Sequence, residues 1–249
     1  VFGRKDPALE ASLCRAMAYS QARTELFSRI LAEGMDETFL QLLQDNSFFP
    51  DAMQLALERL NRIAETPALR AQLLTGWQYL LYNDHVRKSG MSQPPGSTVL
   101  AILDKLLASP NPTDKREIHA RLVALCAWIN VPYYEAFKIR TPETAKADFL
   151  PWEMLPAGIA RALEQALPLA ADPAYVAEAA PLLGSVLALG RHTPLKEKWQ
   201  ANHPSLLQAM DAAEKRVLED GTIESKVAIQ GALTRAGDKQ AAEALTRLV

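Results

Sequence analysis

The sequence predicts an all-α protein, and two observations carry that prediction. Apolar side chains recur at intervals of three and four residues in nearly every segment, which is the spacing of one face of a helix. No stretch alternates polar with β-branched or aromatic residues over the length of a β-strand. We therefore expect about a dozen short-to-medium helices, packed as stacked helical hairpins or as an irregular orthogonal bundle.

Helix starts are marked by a capping residue followed by proline, as at Asp6-Pro7 and Thr193-Pro194. Pro132 is expected to begin a short helix of its own, and Pro181 is expected to kink or split the helix that contains it. From these signals we predict the later helices at 157–167, 173–190, 194–200, 204–219, 222–236 and 238–249.

A segment rich in proline and glycine, KSGMSQPPGS at residues 88–97, predicts a break between helices. We place a linker at 91–97, between an N-terminal helical subdomain at 1–90 and a C-terminal helical subdomain at 98–249. One continuous domain is the alternative. A second irregular stretch covers 141–156, and long irregular loops in compact domains are often functional.

The charge balance excludes a dedicated nucleic-acid surface, because 27 Lys+Arg face 29 Asp+Glu for a formal charge of −2. The apolar runs are interrupted well before the ~20 residues that a membrane helix needs, so we predict no membrane span. Cys14 and Cys126 stand among apolar residues, which is typical of reduced thiols in a cytoplasmic protein. Because the chain begins at Val1, we expect a processed or excised piece, and any upstream signal or anchor would be invisible.

No familiar catalytic or ligand-binding motif is found in the sequence. The four histidines lack the spacing of a zinc site, and the GxSxG, Walker, GxGxxG, DDxxD and ExxH patterns are missing. Burial in apolar surroundings would raise the pKa of the Cys126 thiol and leave it inert. We therefore predict no catalytic residue, no metal and no cofactor.

Aromatic clustering is the most informative feature for function, because six of the 17 aromatic residues fall between 128 and 152. Tyrosine and tryptophan combine a large apolar area with a hydrogen-bonding tip, so an exposed cluster would anchor a partner. The alternative is that these rings seal the junction between two halves of the protein. The predicted partner-binding residues are Tyr133, Tyr134, Phe137, Phe149 and Trp152.

The last 23 residues, VAIQGALTRAGDKQAAEALTRLV, resemble the helix-turn-helix of tetratricopeptide and HEAT-like helical repeats. Gly237-Asp238 would form the turn, and Ala242 would occupy the small packing position. The chain departs from the repeat pattern at Lys226 and Gly231, and no second copy occurs at a period near 34 residues. The resemblance implies a helical hairpin and an interaction scaffold.

These observations predict a non-catalytic protein-protein interaction domain, a scaffold or adaptor subunit of a larger assembly. The Ala-, Leu- and Arg-rich composition suggests that this assembly is bacterial. A protein partner is expected, and homo-oligomerisation is left open. The alternative is an all-α enzyme or small-ligand-binding protein with a pocket between the helical halves. A purely structural or oligomerising domain is a third interpretation.

Overall fold

A computed structural model describes residues 97–108, 114–137 and 155–248, with the isolated positions 6, 8, 9, 12, 35, 36, 38, 59, 71 and 74. All regular structure in these residues is helical and they contain no strand, which confirms the all-α prediction. The described residues contain eight α-helices and one 3₁₀ helix; the predicted dozen is not reached within them. The α-helices are α1 Ser97–Leu107, α2 Lys115–Phe137, α3 Ala157–Ala166, α4 Val176–His192, α5 Leu195–Asn202, α6 Pro204–Asp220, α7 Ile223–Arg235 and α8 Lys239–Leu248, and the 3₁₀ helix is Leu167–Ala171.

The chain forms two compact units, 1–106 and 107–249. Their boundary falls at the end of α1, whereas the sequence places a linker at 91–97. Residues 91–96 lie outside the described residues. In the first unit the predicted cap at Asp6 is present, since its carboxylate accepts a hydrogen bond from the Leu9 amide at 3.1 Å. Asp36 forms an ion pair with the buried Arg59 at 2.7 Å.

Helix α4 is the centre of the second unit. It contacts α2, α5, α6, α7 and the 3₁₀ helix, and most extensively α7. Every residue from Leu182 to Gly190 is buried. A helix that is apolar on all sides is stable only when other elements cover it, so this sequence specifies a central position. Gly184 permits the closest approach, because a Cβ atom there would lie 2.8 Å from the Ala232 Cβ of α7.

Two prolines lie inside helices that the sequence analysis expected them to divide. Helix α2 runs through Pro132 without a new start, and α4 continues through Pro181 as one helix. In α2, Ile129 before the proline is buried and Tyr133 after it is bonded to α7, so packing on both sides offsets the lost backbone hydrogen bond. In α4, Pro181 is exposed and costs one hydrogen bond near the helix start.

The end of α4 is attached to α6 by a forked ion pair. Arg191 donates to both carboxylate oxygens of Glu214, at 2.9 and 2.5 Å, and to Asp211 at 2.9 Å. Planar, two-pronged pairing of this kind is a geometry that arginine provides and lysine does not. The hydrogen bond to Glu214, the largest influence, raises the pKa of Arg191 above its ordinary value.

The C-terminal helices α7 and α8 form the hairpin that the sequence predicts, with Gly237 at the turn. Gly237 adopts φ +91°, a conformation that glycine reaches without strain. The Gly237 amide donates to the Thr234 carbonyl and the Asp238 amide to the Leu233 carbonyl, which is a Schellman motif. Asp238 then caps α8 by accepting from the Ala241 amide at 3.1 Å. The buried alanine of α8 is Ala241, and Ala242, predicted at the small packing position, is half-buried.

Among the described helices, none combines the length and the apolar character that crossing a membrane requires.

Candidate functional site

A groove lies between α2 and the α3 segment with its following 3₁₀ helix, within the second unit. Among the described residues, each side contributes four at the spacing i, i+3, i+4 and i+7. This spacing places the residues of α2, and likewise those of α3, on one helix face, and Leu169 follows in the 3₁₀ helix. The lining residues are Ile118, Arg121, Leu122 and Leu125 on one side and Ala162, Gln165, Ala166 and Leu169 on the other.

The groove has a buried apolar floor and a half-exposed rim. Leu122, Leu125 and Ala162 are buried, whereas Ile118 and Gln165 are partly exposed. Its volume of about 250 Å³ is below the ~300–1,000 Å³ typical of small-molecule sites. That size suits one or two anchoring side chains of a larger partner better than a whole cofactor.

Arg121 and Gln165 are the polar members of the lining. The Arg121 side chain is only 6% exposed and donates to the Glu117 carboxylate one turn earlier on α2, at 3.1 Å. Glu117 is not part of the lining.

Of the five predicted partner-binding residues, Tyr133 is the one whose side chain the structure describes. Its hydroxyl donates to the Ala232 carbonyl of α7 at 3.1 Å, and the side chain is half-buried. Burial, the larger influence, raises the pKa of this hydroxyl, and nearby Arg235 partly opposes the change. Tyr133 therefore joins α2 to α7 within the second unit.

The other four candidates are not brought together by the described residues. Tyr134 and Phe137 lie in the last turns of α2, but their side chains are outside the described part, as are Phe149 and Trp152 entirely. Their role in partner binding stays a prediction. Trp128, from the same aromatic cluster, is fully buried core.

Cys126 is enclosed between α2 and α4, and its thiol donates to the Glu178 carbonyl at 3.3 Å. Burial first, and then the nearby Glu178 charge, raises its pKa from 9.0 to about 12. A thiol is nucleophilic as the thiolate, so Cys126 is held in its inert form at neutral pH, as its sequence context predicts.

The thiol of Cys126 is expected to resist Ellman's reagent at pH 8 in the folded protein and to react fully in denaturant. The measurement uses a Cys14→Ser background, so that one thiol is followed. Because the folded pKa lies above the unfolded value, the stabilisation from the neutral thiol is complete below pH 9 and is lost as the pH rises toward 12. Fast labelling of the native protein at pH 8 would contradict the burial.

Two described histidines pair with carboxylates. His119 Nε2 lies 3.6 Å from Glu178 Oε1, and His192 Nε2 lies 3.4 Å from Asp238 Oδ2. Within the described residues, no group of three or more His, Cys, Asp or Glu side chains could hold a metal ion. His85 lies outside them.

The groove was not predicted from the sequence, although part of its signal is visible there. Ile118, Leu122 and Leu125 recur at helical spacing, and Arg121 lies on the same face three residues after Ile118. A charged residue on an apolar stripe was the available indication. The opposite side is carried by alanines and Gln165, whose apolar area is too small to stand out in a hydrophobic pattern.

The comparisons with known proteins add no relative, since no family model, no curated protein and no solved structure matches the chain.

Proposed function

We propose that this chain is a non-catalytic protein-protein interaction domain, a scaffold or adaptor, whose groove between α2 and α3 receives an amphipathic helix of a partner protein. The observation that carries the proposal is the lining of the groove, in which the residues on each of the two sides have the spacing i, i+3, i+4 and i+7. A helix laid between two such stripes packs its side chains into the spaces between theirs, as in other helix-in-groove complexes.

The free energy for binding would come from apolar contact. A leucine, methionine or phenylalanine that enters the groove would gain both burial and dispersion contacts with its lining. Few interface residues carry most of the affinity, and they sit in pockets of this kind. The volume of about 250 Å³ thus supports one or two anchors, with the remaining partner surface lying across the rim.

The aromatic residues Tyr134, Phe137, Phe149 and Trp152 stay in this proposal as a second contact region. Tyr133, half-buried with its hydroxyl bonded to the Ala232 carbonyl, stays in the proposal through its ring. The resemblance of the C-terminal hairpin to helical repeats agrees with a scaffold role.

Site-specific photocrosslinking tests the groove. A benzoylphenylalanine at position 165, on the half-exposed rim, is expected to crosslink to a partner in extracts of cells that naturally contain this protein. Mass spectrometry should then locate the crosslink in a helical segment of that partner. The same residue at position 208, an exposed glutamine on α6, is the matched control. Equal capture at both positions, or none at 165, would refute the groove as the binding site.

A further inference from the structure

Two large apolar side chains are exposed close together at the corner where α6 ends and α7 begins. Leu218 is 46% exposed and Ile223 is 65% exposed. Among the described residues, the other exposed large hydrophobic side chain is Leu9, in the first unit. Scattered exposed apolar residues need no explanation, but two of these three lie in one corner and form an apolar patch.

Hydrogen bonds fix the backbone of this corner. The Gly221 amide donates to the Val217 carbonyl at 2.8 Å, which ends α6. The Thr222 hydroxyl accepts from the amide of the buried Ser225 at 3.2 Å, and the Ser225 hydroxyl donates to the Thr222 carbonyl at 2.9 Å. The apolar patch is therefore presented by an ordered backbone, which lowers the entropy that is lost when it binds.

The corner and the groove lie in different parts of the second unit. At the start of α6 the Ser205 hydroxyl donates at 2.6 Å to the carboxylate of Glu164, the residue next to Gln165 of the groove rim. Leu218 follows Ser205 by 13 residues on α6. At the rise of an α-helix this places it about 20 Å away. The patch can therefore enter a groove of this kind only in another copy of the chain.

The groove and the apolar patch match in size. The groove volume of about 250 Å³ suits one or two anchoring side chains, and the patch supplies two aliphatic ones. The floor that they would contact is aliphatic as well, since it includes the buried Leu122 and Leu125. Apolar contact of this kind provides most of the affinity of a small interface.

The tip of the corner is acidic. Residues 218–224 contain three carboxylates and no basic side chain. The nearest bases, Lys215, Arg216 and Lys226, lie about one turn back on α6 and α7. Lys215 contacts the Glu219 carboxylate at 3.9 Å, but this pair is 76% and 59% exposed. Exposed pairs are weak, so a cation of a binding partner can compete for the carboxylate.

The rim of the groove carries exposed basic side chains. Lys115 lies one turn before the first lining residue of α2, on the same face, and Arg161 lies one turn before Gln165 on α3. Of the acids at this end of α2, Glu117 pairs with Arg121 and Asp114 caps the helix. Opposite charges on the two surfaces favour their contact and speed their encounter.

We propose that the groove of one chain receives Leu218 and Ile223 of a second copy, in a head-to-tail contact. The inference rests on the proposed function of the groove and identifies the partner as this same chain, which presents the start of its own α7. The two surfaces in contact differ, so each pair keeps one open groove and one open patch. Repeated use of such a contact gives chains or rings and not a two-fold dimer.

Sedimentation equilibrium of the full chain measures this self-association. An interface with two anchors is small, so we expect a dissociation constant on the order of 100 µM. The average mass should rise above that of one chain as the concentration passes this value and should continue beyond that of a dimer. Gln208→Ala, at an exposed site on α6, is the control and should associate like the native chain.

Mixing two variants tests the head-to-tail geometry. The double variant Leu218→Gln, Ile223→Gln lacks the patch and keeps the groove, whereas Gln165→Trp fills the groove and keeps the patch. Each variant alone should associate at least tenfold more weakly than the native chain. Their equimolar mixture should form dimers and nothing larger, because one intact groove meets one intact patch.

A native chain that stays monomeric at about 1 mM, ten times the expected constant, would overturn the inference. Unchanged association of either variant, or a mixture that stays monomeric, would do the same. In each case a crosslink from position 165 to a different protein leaves the proposed function standing, and its absence removes both. Should Gln165→Trp lose its helical circular dichroism, Ile118→Glu at the other half-exposed lining position replaces it.

Discussion

Replacing Gly184 with leucine is expected to destabilise the 107–249 unit by at least about 3 kcal/mol, the upper end of the cost of overpacking a core. A Cβ at this position would already lie 2.8 Å from the Ala232 Cβ and 3.2 Å from the Ala228 carbonyl oxygen of α7. Leucine adds three further carbons where α4 meets its main neighbour. Urea denaturation followed by circular dichroism measures the loss.

A second glycine in the same unit is the matched control. Gly231 lies inside α7, and a Cβ there would meet no atom of the described residues within 4 Å beyond its chain neighbours and its own helix backbone. Gly231→Ala should stabilise the protein by about 0.5–1 kcal/mol, because alanine favours the helix and costs no contact. Gly184→Ala should destabilise it despite the same gain in helix propensity. Shifts of the same sign for the two alanine variants would show that α4 and α7 are not in close contact at Gly184.

Trp199→Ala is expected to cost about 3–5 kcal/mol, the usual range for deleting a fully buried tryptophan. Among the residues that the structure describes, Trp199 is one of the two largest fully buried side chains, and in the eight-residue helix α5 it shares the buried face with Leu195 alone. Its ring also lies 3.6 Å from where a Cβ on Gly190 would stand, which ties α5 to the end of α4.

Chemical denaturation of Trp199→Ala and of Gln200→Ala tests this assignment. Gln200 is the exposed neighbour on the same helix, so its substitution should change the free energy of unfolding by less than about 0.5 kcal/mol. Similar effects from the two variants would mean that α5 does not depend on the tryptophan for its packing.

The sequence predicts the helices of the second unit well because their signals are local. Thr222 accepts from the Ser225 amide at 3.2 Å, and Thr193 accepts from Leu195 at 3.2 Å, both at predicted helix starts. Where a helix ends, and whether it continues through a proline, is less predictable, since both depend on residues that are close in space but distant in sequence. Pro132 looked like a start, and only the packing of α2 on both sides of it reveals one helix.

The groove could be predicted only in half, for the same reason. The helical spacing of Ile118, Leu122 and Leu125 indicates an inward face, but nothing local indicates that α3 lies on the other side of a groove. The intramolecular acceptor of the Tyr133 hydroxyl was not predictable from local sequence either, because Ala232 lies 99 residues away along the chain.

Asp238 uses its two carboxylate oxygens for different purposes, Oδ1 to cap α8 and Oδ2 to contact His192 at the end of α4. The residue that starts the last helix therefore also holds it to the central one. We expect the terminal hairpin to open together with the end of α4 and not to fray from its own end, so that amides of both segments exchange with solvent as one cooperative group.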